Sequence, residues 1–173
     1  NYTQFAETFP AYDVVHVLNR YYRTMNTIIE DNHGIISDVA GDGILALFGV
    51  LKERPNPVLD ALDAARAMNQ ALISFNRYLD QMSDRTFGIR PGLTYGKAII
   101  GSFDTGKMSK ISAIGDSVNL ASRIEAANKG FGTRLLLSES AFKKIKDPSL
   151  AYRAHQTSLK GKSGSHILYE IEL

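Results

Sequence analysis

The 173-residue sequence contains no cysteine. This absence excludes a disulfide-stabilised scaffold, thiol catalysis and cysteine-ligated zinc, and it fits a reducing compartment such as the cytoplasm. No apolar run approaches the roughly 20 residues that a membrane span requires. The net charge of +2 is too small to indicate a nucleic-acid partner, so none is expected. The length suits a single domain.

Several common catalytic patterns are also missing. The histidines show no metal-ligand spacing, and no Ser-His-Asp order is present. The segment 158–163 places Lys160 and Lys162 beside a glycine, but it lacks the spacing of a P-loop. These two lysines either reach a phosphate group from a loop or are ordinary solvated residues, and the local sequence leaves both interpretations open.

Alternating helix and strand patterns fill the whole sequence. Apolar residues at spacings of three and four predict helices, while short apolar runs bounded by glycine and proline predict strands. This succession predicts an α/β or α+β domain with a mixed sheet. The predicted helices cover 13–32, 58–82, 116–129 and 138–146, and the predicted strands cover 35–38, 44–50, 87–93, 97–103, 110–114, 134–137 and 167–171.

The run Gly41-Asp42-Gly43 lies between two apolar strands and predicts a hairpin turn. A carboxylate at a hairpin tip is suited to Mg²⁺, which takes few protein carboxylates and leaves positions for phosphate oxygens. Asp-Gly is also a common turn dipeptide, so turn formation alone would explain the motif.

Asn119 and Arg123 are four residues apart on a predicted helix, so their side chains share one face. An amide and a guanidinium on one face could bind a sugar and a phosphate, because arginine recognises phosphate in a planar, bidentate manner. A solvated polar helix face is the alternative interpretation.

The order and spacing of these segments resemble class III nucleotidyl cyclase catalytic domains along essentially the whole chain. Residues 34–49 resemble the central motif of that family, 88–101 its paired strands, and 115–125 its Gly-Asp-x-Val-Asn-x-Ala-x-Arg signature; 159–161 with 168–170 match its closing segment. The resemblance implies a ferredoxin-like mixed sheet with helices packed on it, in one catalytic domain over 1–173. It also implies that the first strand of the family, with its first metal-binding aspartate, lies upstream of Asn1.

The resemblance implies that the domain converts ATP to 3′,5′-cyclic AMP and pyrophosphate with two Mg²⁺ or Mn²⁺ ions, in a homodimer with shared active sites. Regulatory domains are expected outside this sequence. The implied roles are metal binding for Asp42, ribose binding for Asn119, charge stabilisation for Arg123, and phosphate binding for the amides near Tyr2 and Thr3 and for Lys160 or Lys162.

The two implied base-reading positions depart from the family pattern. Adenylate cyclases usually carry Lys and Asp or Thr there, and guanylate cyclases carry Glu and Cys, whereas this chain has Asp38 and Ser112. An ionised Asp38 accepts from guanine donors, while the hydroxyl of Ser112 suits either base. The pocket chemistry thus favours GTP, whereas the bacterial-looking single-domain pattern favours ATP by the habit of the family. ATP is preferred here, because one side chain of uncertain reach discriminates weakly between the bases. The alternatives are a guanylate cyclase using GTP and a catalytically degenerate regulatory or dimerisation domain; a GGDEF-type enzyme is disfavoured because its signature is absent.

Overall fold

The computed structural model describes residues 2–82, 84, 86–104, 109–162 and 164–173. No helix in these ranges is long and apolar enough to cross a membrane. The elements in chain order are α1 (Tyr2–Thr8), α2 (Ala11–Asp31), β1 (Gly34–Ala40), β2 (Gly43–Phe48), α3 (Pro57–Leu79), β3 (Gly92–Leu93), β4 (Ile99–Asp104), β5 (Ser109–Ile114), α4 (Asp116–Phe131), β6 (Leu136–Ser138), α5 (Glu139–Ile145), a 3₁₀ turn (Pro148–Leu150), β7 (Ala151–Thr157) and β8 (His166–Ile171).

Local sequence sets the ends of the helices. The side chain of Asn56 accepts from the Val58 amide at 3.2 Å ahead of α3, whose first residue is a proline. Ser138 caps the start of α5, since its Oγ accepts from the Ala141 amide at 3.2 Å. Helix α4 ends at Gly132, whose φ of 69° is typical of a left-handed glycine cap.

The strands form three groups. β1 and β2 make the predicted antiparallel hairpin. A four-stranded sheet has the order β3-β6-β8-β7, in which β3 runs parallel to β6 and the other pairs are antiparallel. β4 and β5 form a separate antiparallel ribbon. The prediction of a mixed sheet is therefore confirmed.

Helix α3 connects two parts of the core. One end packs against α2 and α1 in a cluster that contains Phe5, Tyr21 and Phe75. Its other end packs against the four-stranded sheet and α5 through Val58 and Leu62. A third cluster packs α4 on the sheet, and one of its residues lies in the loop between β7 and β8, which we call the closing loop. The buried members of this cluster are Ile124, Leu136, Leu159 and Leu168.

The predicted strand over 87–93 is much shorter in the structure, where only Gly92–Leu93 is extended in a sheet. Pro91 has no amide hydrogen for a ladder. The side chain of Asn76 forms hydrogen bonds with the backbone of Phe87 in place of a neighbouring strand. It donates to the Phe87 carbonyl at 2.9 Å and accepts from the Phe87 amide at 2.7 Å. The paired strands implied for 88–101 are not paired with each other, because β3 joins β6 and β4 joins β5.

Two elements were not predicted from the sequence: the 3₁₀ turn and β7. Strand β7 is polar, and four of its seven residues are exposed, so no apolar alternation marks it in the sequence. This segment is extended because it pairs with the apolar strand β8. Tertiary pairing thus decides this segment where local propensity is weak.

Candidate active site

The β1–β2 hairpin presents Asp42 at its tip. Ala40 pairs with Gly43, so the connection is the two-residue turn Gly41-Asp42. Gly41 has a φ of 60°, and Asp42 is not among the residues with positive φ. This combination is typical of a type II′ turn, which requires glycine at its first central position. The Asp42 side chain is exposed to solvent.

Two tyrosines of α2 support this tip. The Tyr22 hydroxyl donates a hydrogen bond to the Gly41 carbonyl. Burial raises the pKa of Tyr21 to about 12, and the negative charge of Asp42 adds to the increase. The carboxylate therefore lies close to a phenol that stays protonated at neutral pH, on a turn that α2 holds in place.

Asp42 has the chemistry of a ligand for a hard cation. An exposed carboxylate on a fixed turn suits Mg²⁺, which binds through one or two protein carboxylates and keeps waters or substrate phosphates. In the part of the chain that the structure describes, no group of three or more His, Asp or Glu residues could hold a metal ion. The chemistry of the exposed Asp42 carboxylate fits a site in which it is one of the ligands and substrate or water supplies others.

The two candidate base-reading residues lie on neighbouring strands. Asp38 is exposed on β1, and its Oδ1 accepts from the Val39 amide at 2.8 Å. Ser112 is half-buried on β5. The buried Ser37 donates from Oγ to the Ile111 carbonyl at 3.2 Å, which ties the two strands together beside these residues.

Helix α4 carries Asn119 and Arg123 on one face, as the spacing predicts. Asn119 is exposed and Arg123 is half-buried. The helix packs directly on β3, because a Cβ on Gly92 would lie 2.3 Å from the Glu125 amide nitrogen. Ser117 Oγ donates to the Lys97 carbonyl at 2.7 Å and anchors the first turn of the helix. The position of both polar side chains is therefore set by close backbone packing.

The closing loop lies against this helix. Lys162 forms an ion pair with Asp116, the first residue of α4. The hydrogen bond from Lys162 lowers the pKa of Asp116, and the charges of Lys162, Arg123 and His166 lower it further. A Cβ on Gly161 would lie 3.3 Å from Arg123 Nη2. The backbone of the loop at Gly161 therefore lies next to the guanidinium, with little room for a side chain between them.

The structure distinguishes the two lysines of this loop. The Lys162 side chain is 20% exposed and is engaged by Asp116. Lys160 is exposed. Tyr2 and Thr3 lie in the first turn of α1, and their side chains are outside the described part of the structure.

Sequence reasoning missed several residues around these positions. Ser37, Tyr22 and Asp116 did not stand out, because their contacts join segments 19 to 74 residues apart. Asp116 had one usable signal, since it stands at the N-terminus of a helix, where an acid is favourable. Nothing local in the sequence indicated its lysine partner.

The domain defined by this fold and site is a nucleotide cyclase domain. Residues 1–172 match the family described as adenylate and guanylate cyclase catalytic domain. The chain therefore belongs to this family, whose members are lyases that form cyclic nucleotides and generally depend on metal ions. The resemblance stated from the sequence is confirmed.

Relatives carry names of both cyclase types. An adenylate cyclase from Anabaena cylindrica is 30% identical over 178 residues, covering 99% of this chain and 34% of its own length. The chain thus spans about a third of that relative. The solved guanylyl cyclase Cya2 is 25% identical with a TM-score of 0.89, covering 98% of this chain and 85% of its own.

Two further solved structures show the same fold. The adenylyl cyclase CyaB from P. aeruginosa has a TM-score of 0.86 at 24% identity, covering 99% of this chain and 88% of its own. A dimeric guanylyl cyclase domain from Blastocladiella emersonii has a TM-score of 0.77 at 21% identity, covering 99% and 89%. The α+β fold class predicted from the sequence is confirmed by these similarities.

Proposed function

We propose that this domain converts ATP to 3′,5′-cyclic AMP and pyrophosphate at the interface of a homodimer. The observation that carries the proposal is the proximity of the closing loop to Arg123, on the face of α4 that also carries Asn119. An amide and cationic side chains in this arrangement suit a ribose and a phosphate chain. The adenylate cyclase name of the Anabaena relative supports ATP as substrate.

The reaction needs positioning and charge stabilisation more than covalent catalysis. The ribose 3′-oxygen bonds to the α-phosphorus, the bond from that phosphorus to pyrophosphate breaks, and the hydroxyl proton passes to water. Asn119 would orient the ribose, and Arg123 would stabilise the charge that develops on the transferred phosphate. The amides of Tyr2 and Thr3 would contact the triphosphate from the start of α1.

Asp42 would contribute one carboxylate to a site for two ions, Mg²⁺ or Mn²⁺. Bound ions would neutralise phosphate charge and make the 3′-hydroxyl more acidic. The Tyr22 hydrogen bond to the turn supports this role, because a ligand on a held backbone loses less entropy on binding.

Lys160, of the two lysines, is the better candidate for phosphate binding. Lys162 already neutralises Asp116, so binding phosphate would require breaking that ion pair. Lys160 is exposed on the same loop. We therefore assign the phosphate contact to Lys160 and the fastening of the loop to Lys162.

The β4–β5 ribbon is suited to pairing with a second copy of the chain. Ile99 and Ile114 are cross-strand partners and are 75% and 53% exposed. Ile100 and Ile111 are also exposed, on the opposite face of the ribbon. Large apolar side chains on a protruding ribbon favour burial in an interface. A two-fold dimer would then create two equivalent sites, each using Asp42 of one chain and Arg123 of the other.

A strand that precedes Asn1 would complete the domain and supply the first metal-binding aspartate, with Asp42 as the second. In the described residues, β2 pairs only with β1 and β3 pairs only with β6, so one edge of each strand is available. Both strands pack near α3, through Ile44 in one cluster and Leu93 in the other. We place regulatory input in segments outside this sequence, and the catalytic domain in the cytoplasm, where nucleoside triphosphates are made.

GTP is the second candidate substrate, and Asp38 favours it. Its carboxylate accepts hydrogen bonds and suits the N1 and N2 donors of guanine, whereas adenine presents no donor at N1. The Val39 amide holds Oδ1, which fixes the direction of the carboxylate. Ser112 can donate to or accept from either base.

The test is a product assay with Mn²⁺ and either ATP or GTP, on protein that includes the segment preceding Asn1. We expect cyclic AMP to form with the higher kcat/KM. A higher kcat/KM for GTP would contradict ATP as the substrate and support GTP, the second candidate. The absence of product from both nucleotides, in protein that is folded and dimeric, would contradict a catalytic role and leave a degenerate regulatory domain.

A further inference from the structure

The β1 strand contains a bulge at Ser37. Ile36 pairs with Ala46 and Asp38 pairs with Leu45, so one extra residue is inserted on the β1 side of the ladder. A bulge bends a strand and changes the direction of the side chains that follow it. Here Ser37 is 1% exposed, while the next residue, Asp38, is exposed. The insertion therefore separates a buried hydroxyl from an exposed carboxylate.

The buried hydroxyl makes a contact between two sheets. Ser37 Oγ donates to the Ile111 carbonyl at 3.2 Å, across 74 residues of sequence. β1 belongs to the hairpin sheet and β5 to the ribbon, and no backbone ladder joins these two strands in the described part of the chain. A side chain thus makes the connection that a ladder would otherwise make.

Each end of this hydrogen bond is adjacent to a candidate base-reading residue. Asp38 follows Ser37, and Ser112 follows Ile111. We infer that Ser37 is a positioning residue for nucleobase selection: its hydroxyl sets the distance and direction between Asp38 and Ser112. This inference rests on the proposed function, in which those two side chains read the base.

The physical consequence concerns selectivity more than rate. Without the hydroxyl, β1 and β5 lose this hydrogen bond, and the side chains of Asp38 and Ser112 can shift relative to each other. Discrimination between bases depends on hydrogen bonds in the correct direction, so it is sensitive to such a shift. The groups proposed to act on phosphate and ribose have supports of their own, since α4 packs on β3 at Gly92 and Tyr22 holds the turn that carries Asp42.

The test compares Ser37→Ala with Ser37→Thr in dimeric protein that includes the segment preceding Asn1. The readout is the ratio of kcat/KM for ATP to that for GTP. We expect Ser37→Ala to change this ratio by about two- to tenfold, the range of one net hydrogen bond. Ser37→Thr keeps the hydroxyl and should restore the ratio. Ser37→Cys keeps the volume with a weak donor, and it replaces the alanine variant if that variant does not fold.

The variants Asp38→Ala and Ser112→Ala distinguish a failure of the positioning role of Ser37 from a failure of base reading by Asp38 and Ser112. If either variant changes the ratio while Ser37→Ala and Ser37→Cys lower both kcat/KM values equally, the positioning role is wrong and the base-reading role stands. If neither Asp38→Ala nor Ser112→Ala changes the ratio, base reading by these residues is wrong, and the inference fails with it.

Discussion

At the residue scale, Gly161 combines two restrictions. Its φ of 70° lies in the left-handed region, where a side chain is strained, and a Cβ there would lie 3.3 Å from Arg123 Nη2. Gly164, in the same loop, has a φ of 80° and no atom within 4 Å of the position of a Cβ. The two glycines therefore share the backbone restriction but differ in the contact with Arg123.

Replacing each glycine by alanine separates these two effects. Both variants should lose about 1 kcal/mol or more of stability, because alanine is strained at positive φ. Only Gly161→Ala should also lower kcat, by about tenfold, since displacement of a group that acts on the reacting phosphate is costly. Thermal unfolding and steady-state kinetics measure the two quantities. Equal losses of kcat in both variants would contradict the contact with Arg123.

The sequence makes residues of the site candidates but does not show what supports them. Asp42, Asn119 and Arg123 stand in short local motifs that also have structural explanations, and their proposed roles came from the resemblance to the cyclase family. The contact of Ser37 with Ile111 and that of Lys162 with Asp116 join distant segments. No local pattern reports such contacts, because they depend on how the elements pack.

At the scale of elements, Asn76 explains why the segment before β3 does not extend the sheet. Its side chain satisfies both the amide and the carbonyl of Phe87, in place of a neighbouring strand. Phe87 is thereby kept against the aromatic cluster of Phe5, Tyr21 and Phe75. One polar side chain of α3 thus redirects a segment whose apolar pattern predicts a strand.

Asn76→Ala should lower the free energy of unfolding by about 1–3 kcal/mol, since it leaves the partly buried amide and carbonyl of Phe87 without these bonds. Gln70→Ala, at an exposed position of the same helix, is the control and should change stability by less than about 0.5 kcal/mol. Urea denaturation measures both variants. Similar free energies for the two would show that the Asn76 bonds do not stabilise this segment.

The helices were predictable where one apolar face repeats over several turns, as in α2 and α3. The hairpin was predictable because Gly41-Asp42-Gly43 separates two apolar runs. β7 was not, because its sequence is polar and its partner β8 determines its conformation. Periodicity thus predicts elements that bury a face of their own and fails for an edge strand.

At the scale of the whole molecule, the proposed function requires two chains for one active site. Asp42 lies at the tip of the β1–β2 hairpin, and Arg123 lies on α4 beneath the closing loop. The exposed isoleucines of the β4–β5 ribbon provide an apolar surface for pairing. In a two-fold dimer, each site would take the metal-binding carboxylate from one chain and the guanidinium from the other.

The most direct test mixes two inactive variants, Asp42→Ala and Arg123→Ala, in protein that includes the segment preceding Asn1. Each variant alone should nearly lose turnover, because every site lacks one essential group. In a mixed dimer, one site carries both substitutions and the other carries neither. Random exchange of subunits makes half of the dimers mixed, so activity should return to about a quarter of the unsubstituted value. Mixed dimers that form, as shown by differently tagged chains, and remain inactive would contradict the shared site.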